Sequence, residues 1–558
     1  MCNARRVPGS LSTVRSRLGV LVEVFRNPEL RRLELAWGGY SAGEWAQLVA
    51  LSVYAYGKGG AAAVGLLGVV RMLPAALALP FGAMVADRFP RRRVLVTVHL
   101  LRAGALAATA AALAAGAPLP VVFLLAALAA VCAAPCPPAQ WALVPVLART
   151  PQELVAANVS ASTLEGLAAL LGPTLAGIVL AVAGPATVVG ASAVVYVWCA
   201  YLVARISTEA DPGRRHGGSR VEEALAGFRT LADEAGPRLL VGLFAAQTMV
   251  RGLLNVLVVA AALGLLGLGD SSVGFLNAAY GLGALAGAFA AVSLLHRRRL
   301  ANPFGVGLAL WGAPIALLGL WPTTAAALLS LALVGVGNAI VDVSGFTLIQ
   351  RSVEDRLLGR VFGTLEISVL VAIAVGSALA SPLIDLAGIR GALVATGALL
   401  PVLALLSSRR LRAIDESAEV PERELELLRQ VALFSPLPVT TLEKLASRLH
   451  HRTETSGTLL IRQGDHGDLF YLLEEGRVEI VHDGRRVAEL GPGQYFGEIA
   501  LLHDIPRVAS VVALTDVGLL ALEREVFVAA VAGHLGSERQ ADDVVGLRLE
   551  ELRSGAPG

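Results

Sequence analysis

Charge is scarce in this chain. Of its 558 residues only 16% are Asp, Glu, Lys or Arg, 55% are hydrophobic, and the mean hydropathy is +0.66. That deficit excludes a soluble protein of ordinary composition, and the length exceeds a single domain. The net charge of +2 supplies no basic field, so nothing argues for a nucleic-acid partner. Lysine is nearly missing. Lys58 and Lys444 stand alone among many arginines, a bias that, with abundant Ala and Gly, points to a GC-rich bacterial genome. Cysteine is rare too: Cys132 and Cys136 lie one helical turn apart in an apolar run, with no His or further Cys close enough for a metal site. There is no phosphate-binding P-loop, no nucleophile triad and no metal-ligand cluster, so no enzyme chemistry is assigned. His450 and His451 are adjacent and read as pointing apart on a helix. The basic, polar start through Arg32 lacks the short apolar core and cleavage site of a signal peptide.

Long apolar runs are what the chain does have. Each reaches about 20 residues, enough to cross a hydrocarbon core of about 30 Å. Twelve spans are expected, near 33–56, 61–86, 93–115, 119–147, 156–183, 186–205, 238–266, 272–295, 303–321, 323–349, 361–386 and 389–407. With the N-terminus cytoplasmic, the inner loops hold Arg88 and Arg91 to Arg93, Arg149, Arg214 to Arg229, Arg297 to Arg299, and Arg351, Arg356 and Arg360. The outer loops hold little beyond Lys58 and Arg390, which is the positive-inside asymmetry. A polar segment at 206–237 divides the spans into two sixes, and Arg-rich turns recur after spans two and eight.

After residue 407 the composition changes. A polar linker, 408–421, leads to Leu425, Leu428 and Val431 at helical spacing, and Thr440 to Glu443 reads as a capping box. From Thr453 to Leu522 short β-rich runs alternate with Gly-Asp turns, as in a small all-β roll. The expected organisation is a cytoplasmic lead-in (1–32), a first six-helix half (33–205), a central loop (206–237), a second half (238–407), the linker (408–421), a β-roll domain flanked by helices (422–535) and a helical tail (536–558). The fold class is therefore an α-helical polytopic membrane protein carrying a C-terminal α+β domain. Within that domain one stretch concentrates chemistry: Tyr495-Phe496-Gly497-Glu498-Ile499-Ala500-Leu501-Leu502, then Pro506-Arg507-Val508-Ala509-Ser510. Small residues opening a short helix expose N–H groups to an anion. A carboxylate beside them accepts hydroxyl hydrogens, and a guanidinium binds phosphate oxygens in pairs. Tyr495 and Phe496 read as anchors of the roll.

The membrane part resembles the major facilitator superfamily over most of 25–407. The clearest match is Gly82-Ala83-Met84-Val85-Ala86-Asp87-Arg88-Phe89-Pro90-Arg91-Arg92-Arg93, similar to the superfamily's loop motif; Ala83 and Pro90 depart from it. The resemblance implies a gating loop in Asp87, Arg88, Arg91 and Arg92. Gly172-Pro173-Thr174-Leu175-Ala176-Gly177 resembles the end of the antiporter motif. Asn158 and Leu101-Arg102 look most like the siderophore-exporter and macrolide-efflux branch.

Residues 422–535 resemble the cyclic-nucleotide-binding domain of cAMP-dependent kinase regulatory subunits and the catabolite activator family. Gly464, Asp465, Gly476, Gly493 and the stretch just quoted carry the likeness. By it, Glu498 holds the ribose 2′-hydroxyl and Arg507 pairs with the cyclic phosphate. Gly497, Ile499 and Ala500 line the sugar-phosphate, with Ala509 nearby. Val508 stands where cGMP-selective members often carry Thr, so cAMP is favoured over cGMP as the regulatory ligand. No aromatic residue follows Ser537 to cap the base.

Charges inside the apolar runs are the transport candidates, because a mid-bilayer charge costs about 2.5–3.5 kcal/mol and usually faces a cavity or a partner. Glu44, Arg71, Arg102, Glu165, Arg251 and Asp342 fall deep enough for a role in transport or proton coupling. Glu34 and Glu366 read as helix-end residues near the interface, and His99 as a packed polar group. The expected function is a proton-coupled exporter in the cell membrane, with both termini cytoplasmic, acting on a small molecule and regulated by cytosolic cAMP. A sensor whose membrane part no longer moves solute is the alternative. A cyclic-nucleotide-gated channel is excluded: it needs a filter such as TVGYG, and its usual voltage sensor has Arg at every third position.

Overall fold

The computed structural model describes residues 25–149, 151–207, 235–291, 299–353, 355–417, 422–434, 436–437 and 439–532. The first 24 residues, most of the central loop, Arg297, Arg298 and the C-terminal tail, all named above, lie outside them. The chain forms two compact units, Met1–Asp415 and Glu416–Gly558.

Among the described residues the elements of the first unit are all helices: α1 (Pro28–Arg88), α2 (Arg91–Ala114), α3 (Leu119–Ala133), α4 (Cys136–Leu147), α5 (Pro151–Ala204), α6 (Ala235–Val259), α7 (Ser271–Ala291), α8 (Ala301–Leu320), α9 (Thr324–Ser352) and α10 (Asp355–Ser417). Asn27 starts α1, its side chain accepting from the N–H groups of Glu29 and Leu30 ahead of a helix-starting proline. At 61 residues α1 would measure about 90 Å if straight, three times a bilayer core. It is not straight. Gly59 and Gly60 leave the helical region, and the chain turns back so that Arg71 reaches Glu44 at 3.6 Å. Gly60, at φ 57° and ψ −153°, occupies backbone space essentially reserved for glycine. Gly184 in α5 and Gly388 in α10 break their helices in the same way. Small residues elsewhere let helices touch: a Cβ on Gly82 would meet the backbone of Ala134 at 2.6 Å and of Pro135 at 2.8 Å.

Among the described residues, nine helices are long and apolar enough to cross a membrane, and three of these are the ones broken at glycine. The run 119–147 is one of these nine, and inside it the helix is interrupted at Ala134–Pro135, because prolines 135, 137 and 138 remove donors from the helix ladder. The stretch expected as a linker is helical at its start: α10 continues to Ser417, with Leu411 buried on one face.

The second unit opens with α11 (Glu422–Gln430) and α12 (Val439–Ser447). Eight strands follow: β1 (His450–Glu454), β2 (Leu459–Ile461), β3 (Leu469–Glu475), β4 (Val478–His482), β5 (Arg485–Leu490), β6 (Tyr495–Phe496), β7 (Ser510–Ala513) and β8 (Val517–Glu523). A short helix, α13 (Glu498–His503), separates β6 from β7, and α14 (Arg524–Ala532) ends the described chain. Two four-stranded antiparallel sheets, ordered β1-β8-β3-β6 and β2-β7-β4-β5, face each other across Leu473, Val478, Phe496, Val511 and Leu519. On the opposite face of the first sheet the flanking helices pack on Phe470 and Leu520, with Phe470 and Phe527 stacked at 4.7 Å. His450 and His451 lie on a strand, not a helix; alternation on β1 lets His451 contact Glu424 at 2.7 Å.

Candidate functional site

In the second unit the roll encloses a cavity lined by Phe496, Gly497, Glu498, Ile499, Ala500, Arg507, Val508 and Ala509. All the residues expected around a nucleotide are therefore brought together. Glu498 is 1% exposed at the first turn of α13, and Arg507 is 6% exposed just before β7. The guanidinium is fixed by the backbone around it: Nη1 donates to the Gly497 carbonyl at 2.8 Å and Nη2 to the Leu469 carbonyl at 2.7 Å. Its own N–H donates to Asp465 O at 2.8 Å, and its carbonyl accepts from Gly464 N–H at 2.8 Å. Two of the five donors of the planar fork are thus committed to holding it, and the others remain for an anion in the cavity. Burial pushes the Arg507 pKa down, while Tyr471, Asp468 and Glu498 act to hold its charge. It stays a cation at any ordinary pH.

Two glycines make room for that cation. Gly497 sits at φ 92°, which permits the sharp turn from β6 into α13. A Cβ on Gly467 would run into the guanidinium of Arg507. Gly467→Ala is accordingly expected to displace Arg507 and weaken anion binding at least tenfold, at an overpacking cost of about 1–3 kcal/mol. Calorimetric titration with cyclic nucleotide checks this; unchanged affinity would mean that Arg507 does not need its seat.

The far wall of the cavity was not read from the sequence. Ile461, Ile480, Val487, Ala488, Leu490 and Val511, from β2, the β4–β5 hairpin and β7, form an apolar surface opposite Glu498 and Arg507. The only signal available was their inward alternation on short strands. The site thus has a charged floor for a sugar-phosphate and an apolar wall for a flat ring.

The first unit holds a second, larger cavity of about 1110 Å³, lined from both halves by Tyr40, Glu44, Arg71, Trp141, Phe346, Gln350, Phe362 and Glu366. Glu44 is its electrostatic centre. It bonds Arg102 and Gln47 at short range, ion-pairs with Arg71 at 3.6 Å, and accepts from Tyr196 Oη at 3.3 Å. Arg102 lies between the rings of Tyr40 and Tyr196, at 4.9 Å and 4.5 Å from their centroids. Glu44, Arg71 and Arg102 therefore form one network. Glu165 stands apart from it, bonded to Trp37 Nε1 at 2.8 Å. Arg251 and Asp342 belong to a different group: Asn338 donates to Asp342 at 2.7 Å, and Arg251 covers the Trp45 ring at 5.8 Å.

Two placements differ from the sequence reading, and a third, His99, agrees with it. Glu366, taken as a helix-end residue, lines the cavity. Glu34, taken likewise, is 0% exposed. His99 is buried against Tyr40 and Tyr196, so its packed character comes from an aromatic cluster. In the loop motif, Asp87 and Arg88 are exposed. Arg91 donates to Ala142 O at 3.0 Å and Arg92 to Ile206 O at 2.6 Å, tying the start of α2 to α4 and to the segment after α5.

Comparison with known proteins also divides the chain in two, near residue 452. The model of the Major Facilitator Superfamily matches residues 38–269 and 239–453, and that of the cyclic nucleotide-binding domain matches residues 452–534. The chain is 41% identical over 95 residues to the cAMP-dependent protein kinase regulatory subunit of Eremothecium gossypii, covering 17% of this chain and 21% of that protein. It is 42% identical over 102 residues to the same subunit of Aspergillus niger, covering 18% and 25%. It thus spans about a fifth to a quarter of the length of these curated relatives. Among solved structures, the regulatory domain of Toxoplasma gondii PKA with cAMP is 34% identical, with 20% of this chain and 43% of that chain covered and a TM-score of 0.19. The Thermus thermophilus catabolite activator protein is also 34% identical, with 22% and 59% covered and a TM-score of 0.20.

Proposed function

The chain belongs to the Major Facilitator Superfamily and ends in a cyclic nucleotide-binding domain, and we propose that it is a proton-coupled exporter of a small molecule, regulated by cytosolic cAMP. The observation that carries the transport half is the cavity of about 1110 Å³ shared by two helical halves around a buried charge network. Nine long helices among the described residues, three of them folded back at glycine, support a reading of twelve crossings (nine plus three). On that reading both ends lie on the same side, and the arginine-rich loops favour the cytoplasm. The proposed domains are two six-helix halves at 33–205 and 238–407 and a nucleotide domain at 422–535.

The cavity is built from the helix ends near those basic loops: Leu79, Pro137, Trp141, Gln350 and Phe362. Toward the other ends the helices close on one another, with a Cβ on Gly68 meeting Ser377 Cβ at 2.6 Å. A cavity reached from the cytoplasm suits loading for export. The regulatory half rests on Arg507 and Glu498, buried at opposite ends of one cassette and facing a common cavity with an apolar wall. Val508 offers no hydroxyl to a guanine amino group, which favours cAMP. The cell membrane is the expected location, and the family assignments point to transport and regulation, not catalysis.

Transport is tested in proteoliposomes loaded with a panel of amphiphilic small molecules and given a pH gradient. The reading expects at least one solute to move against its gradient with countermovement of protons. If the gradient changes no flux in any solute while the protein still binds cAMP, the membrane part is a sensor and the exporter reading fails.

A further inference from the structure

Proton coupling needs a group that can change charge without a fixed partner, and Glu44 does not fit that role. It is held by Arg71, Arg102, Gln47 and Tyr196, so its charge already has fixed partners. Glu34 is the opposite case. It is 0% exposed, and neither of its carboxyl oxygens has a hydrogen-bond partner among the described residues. Trp37, three residues further along α1, donates to another carboxyl, Glu165 of α5. The remaining titratable groups packed around this region are Tyr40, Glu44 and Arg71 on α1, His99 and Arg102 on α2, Cys136 on α4, and Tyr196 and Cys199 on α5. The fixed cations among these are Arg71 and Arg102, and both reach Glu44.

We propose that Glu34 and Glu165 form a carboxyl pair that carries one exchangeable proton, and that Trp37 passes the state of this pair to the cavity. Two bare carboxylates in an apolar setting repel each other and lack compensating donors, so one proton on the pair removes the conflict. Trp37 lies one turn beyond Glu34 on α1, which puts both on the same face. Its Nε1 donates to Glu165 Oε1 at 2.8 Å. Its ring stacks on Tyr40 at 5.2 Å and meets Trp141 edge-on at 5.6 Å, and both of those residues line the cavity. Loading adds one proton to a carboxylate oxygen. Release returns that proton to water and leaves a second negative charge beside the acceptor of the Trp37 bond. The indole then donates to a carboxylate with a second charge beside it, and the two aromatic cavity walls that lean on it repack. The consequence for solute movement rests on the exporter reading; the protonation of the pair does not.

Infrared difference spectroscopy of the full-length protein in lipid bilayers tests this as pH is varied. The wild type should show the carbonyl stretch of a protonated carboxyl near neutral pH. Glu34→Gln should lose that component, and Glu165→Gln should shift the pH at which it appears. Trp37→Phe should retain the component at an altered frequency or midpoint, which guards against a variant that merely fails to fold. A wild-type spectrum reproduced by Glu34→Gln, or a midpoint unmoved by Glu165→Gln, would overturn the pairing. If the component behaves as expected but no solute moves in proteoliposomes, the pair stands and the exporter reading is the part that fails.

Discussion

Arg507→Ala should abolish cyclic-nucleotide binding at micromolar ligand. A guanidinium meeting a phosphate makes charge-assisted bonds worth about 1.5–3 kcal/mol each, and losing two of them weakens binding by at least about 100-fold. The substitution also strips donors from the carbonyls of Gly497 and Leu469, which Arg507 satisfies at 2.8 Å and 2.7 Å. Each carbonyl left dry costs about 1–3 kcal/mol, so the ligand-free second unit should unfold earlier as well. Arg507→Lys separates the two effects: it restores charge but not the planar fork, so partial affinity is expected. Calorimetry on the full-length protein reads the affinity. Binding within threefold of wild type in Arg507→Ala would remove the phosphate from this cavity altogether.

Glu44→Gln should be the most damaging single change in the membrane unit. It leaves Arg71 and Arg102, 4% and 1% exposed, without the carboxylate that both of them reach. Breaking a buried ion pair from one side typically costs about 3–5 kcal/mol, because the surviving charge stays buried. The expected result is a large drop in the thermal midpoint in detergent, together with loss of transport. Replacing Arg102 with Met in the same background should recover part of the stability, since the second buried charge is then removed too. A loss below about 1 kcal/mol in Glu44→Gln would mean that water reaches the network and screens it.

Much of the nucleotide cavity was legible in the sequence, because its chemistry is local. Gly497, Glu498, Arg507 and Ala509 fall within thirteen residues, and two glycines mark the turns that seat them. The wall supplied by Ile480, Val487, Ala488 and Leu490 was not legible. Those residues reach the site through antiparallel register, Val478 opposite Leu490 and Ile480 opposite Ala488, and such pairing leaves little trace in composition. The apolar runs likewise announced the helices, and Gly60, Gly184 and Gly388 fall where runs were expected to end. The role of each buried charge was harder to see. Glu34 lies six residues after Pro28 and reads as an interface residue until α2, α4 and α5 pack over the start of α1. Glu366 reads the same way until the opposite half completes the cavity. The continuation of α10 to Ser417 was hidden by arginines whose charge suggests a linker, although Arg, Leu and Ala all favour a helix there.

Linkage sets the standard for the central claim: cAMP can regulate this transporter only by binding one of its conformations better than another. The most direct measurement is solute flux in sided vesicles with cAMP added to the face bearing the basic loops. The account predicts a change in flux rate at saturating cAMP that is absent when cAMP is confined to the other face and absent in Arg507→Ala. Identical flux with and without cAMP, in a protein that binds the nucleotide, would show that the C-terminal domain does not control the transporter.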